Sequence, residues 1–119
     1  MSVLIGLCLL VAGCYQSDRQ AREYLLKQFP LGLIRGDVEQ RLSTQQWTRR
    51  VDETRPKDGW STSRPAGMEH IRLIESTTGR HIERWEQYEG VATIFSLAIA
   101  RFYFDDSDRL FDIEVHITD

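Results

Sequence analysis

The chain has 119 residues, which is enough for one domain with a modest core and too few for two independent cores. Hydrophobic residues make up 41% of it and charged residues 28%, as in ordinary globular proteins. The formal net charge of −3 argues against nucleic acid as a partner, because a surface that binds phosphates normally has a cationic excess.

The first 13 residues differ from the rest of the chain because they contain no charged side chain. The apolar run from Val3 to Ala12 is ten residues long, whereas a helix that crosses a bilayer needs about 20 apolar residues. A short apolar run that ends in small residues is typical of a secretory signal peptide. An N-terminal core strand is the alternative, but the run lacks the polar alternation of a half-buried strand. The sequence therefore predicts a cleaved signal over 1–13 and one mature domain over 14–119.

The end of this signal carries a recognisable motif. Val11-Ala12-Gly13-Cys14 resembles the lipobox of bacterial lipoproteins, in which a signal peptidase cuts before a cysteine that receives diacylglycerol. The resemblance implies that Cys14 carries acyl chains such as palmitate and anchors the protein to a membrane. Tyr15, rather than Asp, follows the cysteine, which in lipoprotein sorting implies the periplasmic face of the outer membrane. Cys8 leaves with the signal, so the mature chain has no thiol for a disulfide.

The mature chain opens with a predicted amphipathic helix. Ser17 and Gln20 fit a capping box, in which hydroxyl and amide satisfy backbone NH groups at a helix start. Apolar residues then recur at helical spacing as far as Phe29. Pro30 and Gly32 end this helix.

A second, shorter helix is predicted from Arg35 or Gly36 to Leu42. Val38 and Leu42 form its buried stripe at a spacing of one helical turn. A first short strand is predicted over 46–51.

Residues 53–67 contain two prolines and two glycines, which predicts a long loop. Loops of about 15 residues are often functional. Aromatic and arginine side chains dominate binding hot spots, and proline limits the entropy lost when a loop becomes ordered. The predicted partner-binding residues are Arg55, Lys57, Trp60 and Arg64. The alternative is that Trp60 packs on the sheet edge and pins a passive loop.

From Met68 onward the hydrophobic period changes to two. A hairpin is predicted from strands over 68–74 and 80–88, joined by a turn at 76–79. Residues 91–104 are apolar on both faces, as in a central strand covered by helices.

The last predicted strand, 111–117, follows a turn at 105–108 and alternates one buried and one solvated face. Two amphipathic helices that precede consecutive antiparallel strands predict an α+β domain. We expect the two N-terminal helices to pack on one face of an antiparallel sheet of three to five strands.

The residues that could carry chemistry lack the spacing of known catalytic or metal sites. The histidines fall on predicted strands without zinc-ligand spacing: His70, His81 and His116. The acidic turn at 105–108 lacks the glycine and the glutamate of an EF-hand loop. Glu83 and Glu86 could mimic a pair of glycosidase carboxylates. On a short hairpin, however, we expect these two side chains to lie on a solvated strand face. We therefore predict no enzyme activity, no metal and no cofactor.

Two stretches, residues 29–42 and the hairpin RFYFDDSDRLFDIEV, resemble the SmpA/OmlA (BamE-like) group of small outer-membrane lipoproteins and β-lactamase-inhibitor-protein-like domains. The resemblance implies the α+β fold and the envelope location. The lipobox, the missing catalytic spacing and the loop together predict a non-catalytic protein that binds another envelope protein in an assembly or scaffold role. The inhibitor side of the fold group implies an alternative, a proteinaceous inhibitor of a periplasmic or secreted hydrolase.

Overall fold

The computed structural model describes residues 17–54, 69–91 and 97–118. The predicted signal lies outside these residues. The elements in chain order are α1 (Asp18–Gln28), α2 (Arg35–Thr44), β1 (Thr48–Thr54), α3 (Glu69–Thr78), β2 (Ile82–Val91), β3 (Leu97–Asp105) and β4 (Leu110–Ile117). The four strands form one antiparallel sheet in the order β1-β2-β3-β4. This confirms the predicted α+β class with an antiparallel sheet.

Helix α1 begins at the predicted capping box. The Gln20 backbone NH donates to the Ser17 hydroxyl at 3.2 Å, and the Ser17 backbone NH donates to the Gln20 side chain at 3.0 Å. Its buried side chains, Ala21 and Leu25, lie one turn apart, and Phe29 is buried just after the last turn. The amphipathic spacing in the sequence thus gives α1 one face for the core.

Helix α2 extends two residues beyond the predicted end at Leu42. Val38 and Leu42 are fully buried, as predicted. The Arg41 guanidinium donates to the Gln28 carbonyl at 2.8 Å and so satisfies a free carbonyl at the end of α1. The turn between the helices needs Gly32, whose φ of 93° other residues rarely adopt.

The main core lies between this helix pair and one face of the sheet, which we call the helix-pair face. Its strand residues are Tyr88, Ala98, Ala100, Phe102, Phe104, Leu110, Ile113 and Val115. The Phe102 ring packs edge to face against Phe29 and Tyr88, with ring centroids 5.4 and 5.7 Å apart. Such edge-to-face pairs add to the stability gained from apolar burial.

The predicted strand over 68–74 is wrong, because residues 69–74 begin helix α3. Ile71 is fully buried whereas Leu73 is 67% exposed, so the two side chains do not share a face as they would in a strand. Ile74, three residues from Ile71, is half-buried on the same side of the helix. The predicted turn at 76–79 is the last turn of α3, ended by Gly79 with a φ of 73°.

Helix α3 packs on the other face of the sheet, which we call the α3 face. The two N-terminal helices pack on one face, as predicted, and α3 is an additional helix that the sequence did not predict. The residues buried there are Ile71, Ile82, Trp85, Tyr103 and Phe111. The predicted alternation of the last strand places Phe111 with Ile113, but the β3–β4 register shifts between Tyr103 and Phe104. Phe111 therefore joins the α3 face while Ile113 stays in the main core.

Three boundaries differ from the sequence prediction. Strand β1 begins at Thr48, because Gln46 adopts a positive φ of 65° and ends the helical segment. Its last residues, Glu53 and Thr54, belong to the strand and not to the predicted loop. Val91 belongs to β2, and β3 supplies residues 97–104 of the predicted strand over 91–104, whose residues 92–96 lie outside the described part. From Phe102 onward β3 is buried on both faces, as predicted for a central strand.

The elements meet at two ends of the sheet. At one end, which we call the N-terminal end, α1 begins beside the last residues of β4. The Ile117 backbone NH donates to Asp18 at 2.9 Å, and the Thr118 backbone NH donates to the Leu97 carbonyl at 3.0 Å. The opposite end, the turn end, carries the predicted β3–β4 turn at 105–108. Helix α3 packs over the half of the α3 face nearest the turn end.

Candidate interaction surface

Beyond the part that α3 covers, the half of the α3 face nearest the N-terminal end forms a groove of about 340 Å³, which Asp18 at the start of α1 also lines. We call this the open groove, and its defining residues are Gln87, Ile99, Arg101, Glu114 and His116. They come from three adjacent strands, and the antiparallel register aligns them: Arg101 lies opposite both Gln87 and Glu114, and Ile99 lies opposite His116.

Arg101 is the organising side chain of the open groove. Its Nε donates to Gln87 Oε1 at 2.7 Å, and its Nη1 donates to Glu114 Oε1 at 3.3 Å. The guanidinium also lies over the Trp85 ring, 5.3 Å from the centroid. Cation–π attraction stabilises the guanidinium in this position. The Arg101 side chain remains 29% exposed. A guanidinium fixed in this way loses less conformational entropy when it binds a partner than a free surface arginine does.

Tyr103 fixes the carboxylate beside this arginine. Its hydroxyl donates to Glu114 Oε1 at 3.0 Å. Burial, together with the Glu114 charge, raises the pKa of Tyr103 well above its usual value, so the hydroxyl stays a donor. Glu114 therefore accepts from both Arg101 and Tyr103, which makes it a positioned acceptor rather than a free general base.

A second polar cluster centres on Asp112, which is fully buried although its strand face was predicted to be solvated. Arg22 Nη2 donates to Asp112 at 2.6 Å, and His70 Nε2 lies 2.9 Å from the other carboxylate oxygen. Arg22 Nε also donates to the Ile113 carbonyl at 2.9 Å, on the free edge of β4. The cluster thus joins α1, α3 and β4, and Arg22 covers part of an edge that could otherwise pair with another strand.

A histidine next to a buried carboxylate also occurs in hydrolytic triads, where the histidine activates a nucleophile. Within the described parts of the chain, no Ser, Thr or Cys side chain hydrogen-bonds to His70. The second carboxylate oxygen is held by Arg22. The Arg22–Asp112 ion pair and the His70 contact therefore tie two helices to β4, and no described side chain is placed as a nucleophile.

The histidines were predicted to lie on strands, and the structure corrects two of these placements. His70 lies on α3, His81 precedes β2, and only His116 lies on a strand. His116 Nδ1 is 3.3 Å from Asp18 at the N-terminal end, far along β4 from His70 and Asp112. Among the described residues, no three His, Cys, Asp or Glu side chains converge as a metal site requires.

Glu86 corrects another prediction, because it is fully buried whereas Glu83 is exposed. The two carboxyl groups therefore do not line a common site. The Tyr88 hydroxyl donates to Glu86 Oε1 at 2.8 Å, and Arg35 Nη1 donates to Glu86 Oε2 at 3.4 Å. Burial raises the pKa of Glu86; the Tyr88 hydroxyl opposes this rise and the neighbouring Glu39 carboxyl adds to it.

The first turn of α2 supplies the partners of this buried carboxyl group. Arg35 lies at the helix start, where its Nε also donates to Asp108 at 2.9 Å. Arg49 of β1 pairs with Glu39, and its Nη2 lies 3.8 Å from Glu86. The cluster therefore links α2, two strands and the β3–β4 turn, and its charges are satisfied within the fold.

The acidic turn is organised by Asp105. One carboxylate oxygen accepts from the backbone NH groups of Ser107 and Arg109 at 2.9 and 3.0 Å, and the other accepts two bonds from Arg80. The Arg80 guanidinium also lies over the Phe111 ring at 4.9 Å. These contacts confirm the predicted turn. Asp105 is buried there, and the hydrogen bonds from the backbone and Arg80 satisfy its carboxylate.

The sequence-predicted site residues are outside this description: Cys14, Arg55, Lys57, Trp60 and Arg64. Thr54, the last described residue before Arg55, pairs with Arg84 toward the turn end. The open groove was not predicted from the sequence. Its only signal was Arg101, a charged residue within the apolar run that became β3.

The comparisons with known proteins found no matching family model, no matching curated protein and no matching solved structure. The resemblance to small outer-membrane lipoproteins therefore stays a prediction. None of the three described helices combines the length and the hydropathy that a bilayer span needs.

Proposed function

We propose that this chain is a non-catalytic, lipid-anchored protein of the bacterial cell envelope that acts by binding another envelope protein. The location rests on the lipobox Val11-Ala12-Gly13-Cys14, with acylated Cys14 as the anchor, on the periplasmic face of the outer membrane. The binding role rests on one observation: Arg101 is held between Gln87 and Glu114 above Trp85 and stays partly exposed.

This arrangement favours recognition over chemistry. Arginine and aromatic side chains contribute most of the binding energy in many protein interfaces, particularly when they are already ordered before binding. Ile99 adds apolar surface beside Arg101, and His116 lies exposed at the edge of the groove. A protein surface that offers carboxylate or carbonyl acceptors next to an apolar side chain would complement this set. The four loop residues from Arg55 to Arg64 are a separate, sequence-based proposal for a second contact.

The test uses the full chain in bacterial cells, with a photocrosslinking amino acid in place of the exposed His116 at the edge of the groove and labelled palmitate in the medium. We expect the protein to incorporate palmitate and to form a discrete crosslink, which mass spectrometry identifies as an envelope protein. Arg101→Ala should remove most of the crosslink, because it removes the fixed guanidinium. Arg72→Ala is the matched control, since Arg72 is exposed on α3 and does not line the open groove.

Three results would count against the proposal. Protein that takes up no palmitate contradicts the anchor, and an unchanged crosslink in Arg101→Ala contradicts the role of the open groove. A crosslinked hydrolase that the mature domain inhibits at equal concentration would favour the alternative role as an inhibitor. The thermal transition of each variant checks that the fold is intact.

A further inference from the structure

The N-terminal end of the domain presents apolar side chains beside the point where the proposed anchor enters. We propose that this end rests on the bilayer and that the exposed side chains of Val91 and Leu97 contact lipid. The inference depends on the proposed acylation of Cys14, and it adds a second membrane contact made by the folded domain itself.

Hydrogen bonds place the start of α1 next to the start of β3. Asp18 accepts from the Ile117 backbone NH at 2.9 Å, and the next residue, Thr118, donates to the Leu97 carbonyl at 3.0 Å. Val91 lies opposite Leu97 in the β2–β3 pair. The first residue of α1 and the two apolar side chains thus belong to the same end of the sheet.

The length of chain before α1 limits how far the anchor can lie from this end. Cys14 precedes Asp18 by four residues, and four residues span at most about 14 Å whatever their conformation. Acyl chains on Cys14 must therefore enter the membrane close to the N-terminal end. A tether this short favours orientations in which that end faces the lipid, because turning the domain over would require a longer connection.

Two apolar side chains that face each other across β2 and β3 are exposed at this end. Val91 is 57% exposed and Leu97 is 41% exposed. The sequence from Val91 to Ala98 contains no charged residue. Apolar side chains at a membrane surface are buried in the boundary between headgroups and acyl chains, which removes this exposure.

The charges near this end favour an apolar contact over an electrostatic one. Asp18 pairs with His116 at 3.3 Å, and Arg50 pairs with Glu89 at 3.3 Å. The described residues of this end therefore do not form the cluster of unpaired basic side chains that binds anionic headgroups. We expect the contact to persist at high salt, where electrostatic binding weakens.

The test uses the full-length chain, acylated in bacteria, with Val91→Cys carrying an environment-sensitive fluorophore. Cys8 leaves with the signal and the sulfur of Cys14 is in a thioether, so the introduced cysteine is the only reactive thiol. The purified protein is placed in phosphatidylethanolamine/phosphatidylglycerol vesicles, with or without bromine on the acyl chains near the ester. Leu73→Cys is the matched control, because Leu73 is also an exposed apolar side chain but lies on α3.

We expect brominated lipid to cause a loss of emission at position 91 and none at position 73. Leu97→Cys should reproduce the loss, which guards against a local effect of one substitution. If the protein floats with the vesicles but position 91 keeps its emission, the anchor stands and the lipid contact of this end is wrong. Equal losses at positions 91 and 73 would mean that the domain lies on its side, which also overturns the inference. Protein that does not float with vesicles overturns the anchor itself.

Discussion

The close contact between Trp47 and Gly90 sets a steric limit at a single residue. A Cβ atom added to Gly90 would lie 2.6 Å from Cδ2 of the Trp47 ring and 2.9 Å from two further ring atoms. Trp47 is 6% exposed and belongs to the main core, so its ring has little room to move. Glycine in β2 is therefore required by the approach of a neighbouring side chain and not by an unusual backbone angle.

We expect Gly90→Ala to lower the free energy of unfolding by about 1–3 kcal/mol, because the added methyl group overpacks the core. Gly36→Ala is the control, since a Cβ there meets no atom within 4 Å. That substitution should be neutral or should stabilise α2 by up to about 1 kcal/mol, because alanine is the better helix former. Urea unfolding of both variants measures the difference, and equal losses would show that the contact with Trp47 does not matter.

Elements that carry a signal in their own sequence, such as a capping box, were predicted, whereas helix α3 was not. Helix α1 carries its own capping box, and the acidic turn before β4 is a local feature. In α3 the run Ile71-Arg72-Leu73-Ile74 fits both a period of two and a helical spacing, so local pattern cannot choose between them. The choice is made by contact with Tyr103 and Phe111, which lie far along the chain.

The open groove could not be predicted for a related reason. Gln87, Arg101 and Glu114 lie on three different strands and meet only because of strand order and register. Register depends on bulges such as the one beside Phe104, and the sequence shows no local sign of them. Predictions of residues that act together therefore fail even where the individual strands are recognised.

The helical assignment of α3 gives a direct prediction. Ile71→Ala should lower the free energy of unfolding by about 2–5 kcal/mol, because it leaves a cavity in the α3 face. Leu73→Ala should change it by no more than about 0.5 kcal/mol, since Leu73 is 67% exposed. In a strand both side chains would lie on one face, and the two substitutions would have similar effects. Urea unfolding of the pair therefore separates helix from strand.

Across the whole molecule, two buried carboxyl groups respond to pH in opposite directions. Burial tends to raise the pKa of Asp105, but the Arg109 backbone NH and the Arg80 guanidinium outweigh burial and hold it below its usual value. Asp105 therefore contributes stability above about pH 3.9, its unfolded pKa, and this contribution is lost as the pH falls. The pKa of Glu86 is raised, mainly by burial, so the folded state favours its protonated form. Its contribution is present at low pH and is lost as the pH rises above about 4.3, the unfolded value.

Glu86→Gln should isolate the second effect, because glutamine resembles the protonated carboxyl group and does not titrate. We expect the free energy of unfolding of this variant, relative to the unmodified protein, to increase as the pH rises from about 4.3 toward neutrality. Glu83→Gln removes the same charge from an exposed position on the same strand and so controls for the change in net charge. Urea unfolding at a series of pH values measures all three. If the advantage of Glu86→Gln stayed constant or shrank with rising pH, the attractions of Arg35 and Arg49 would outweigh burial, and Glu86 would be a stabilising carboxylate at neutral pH.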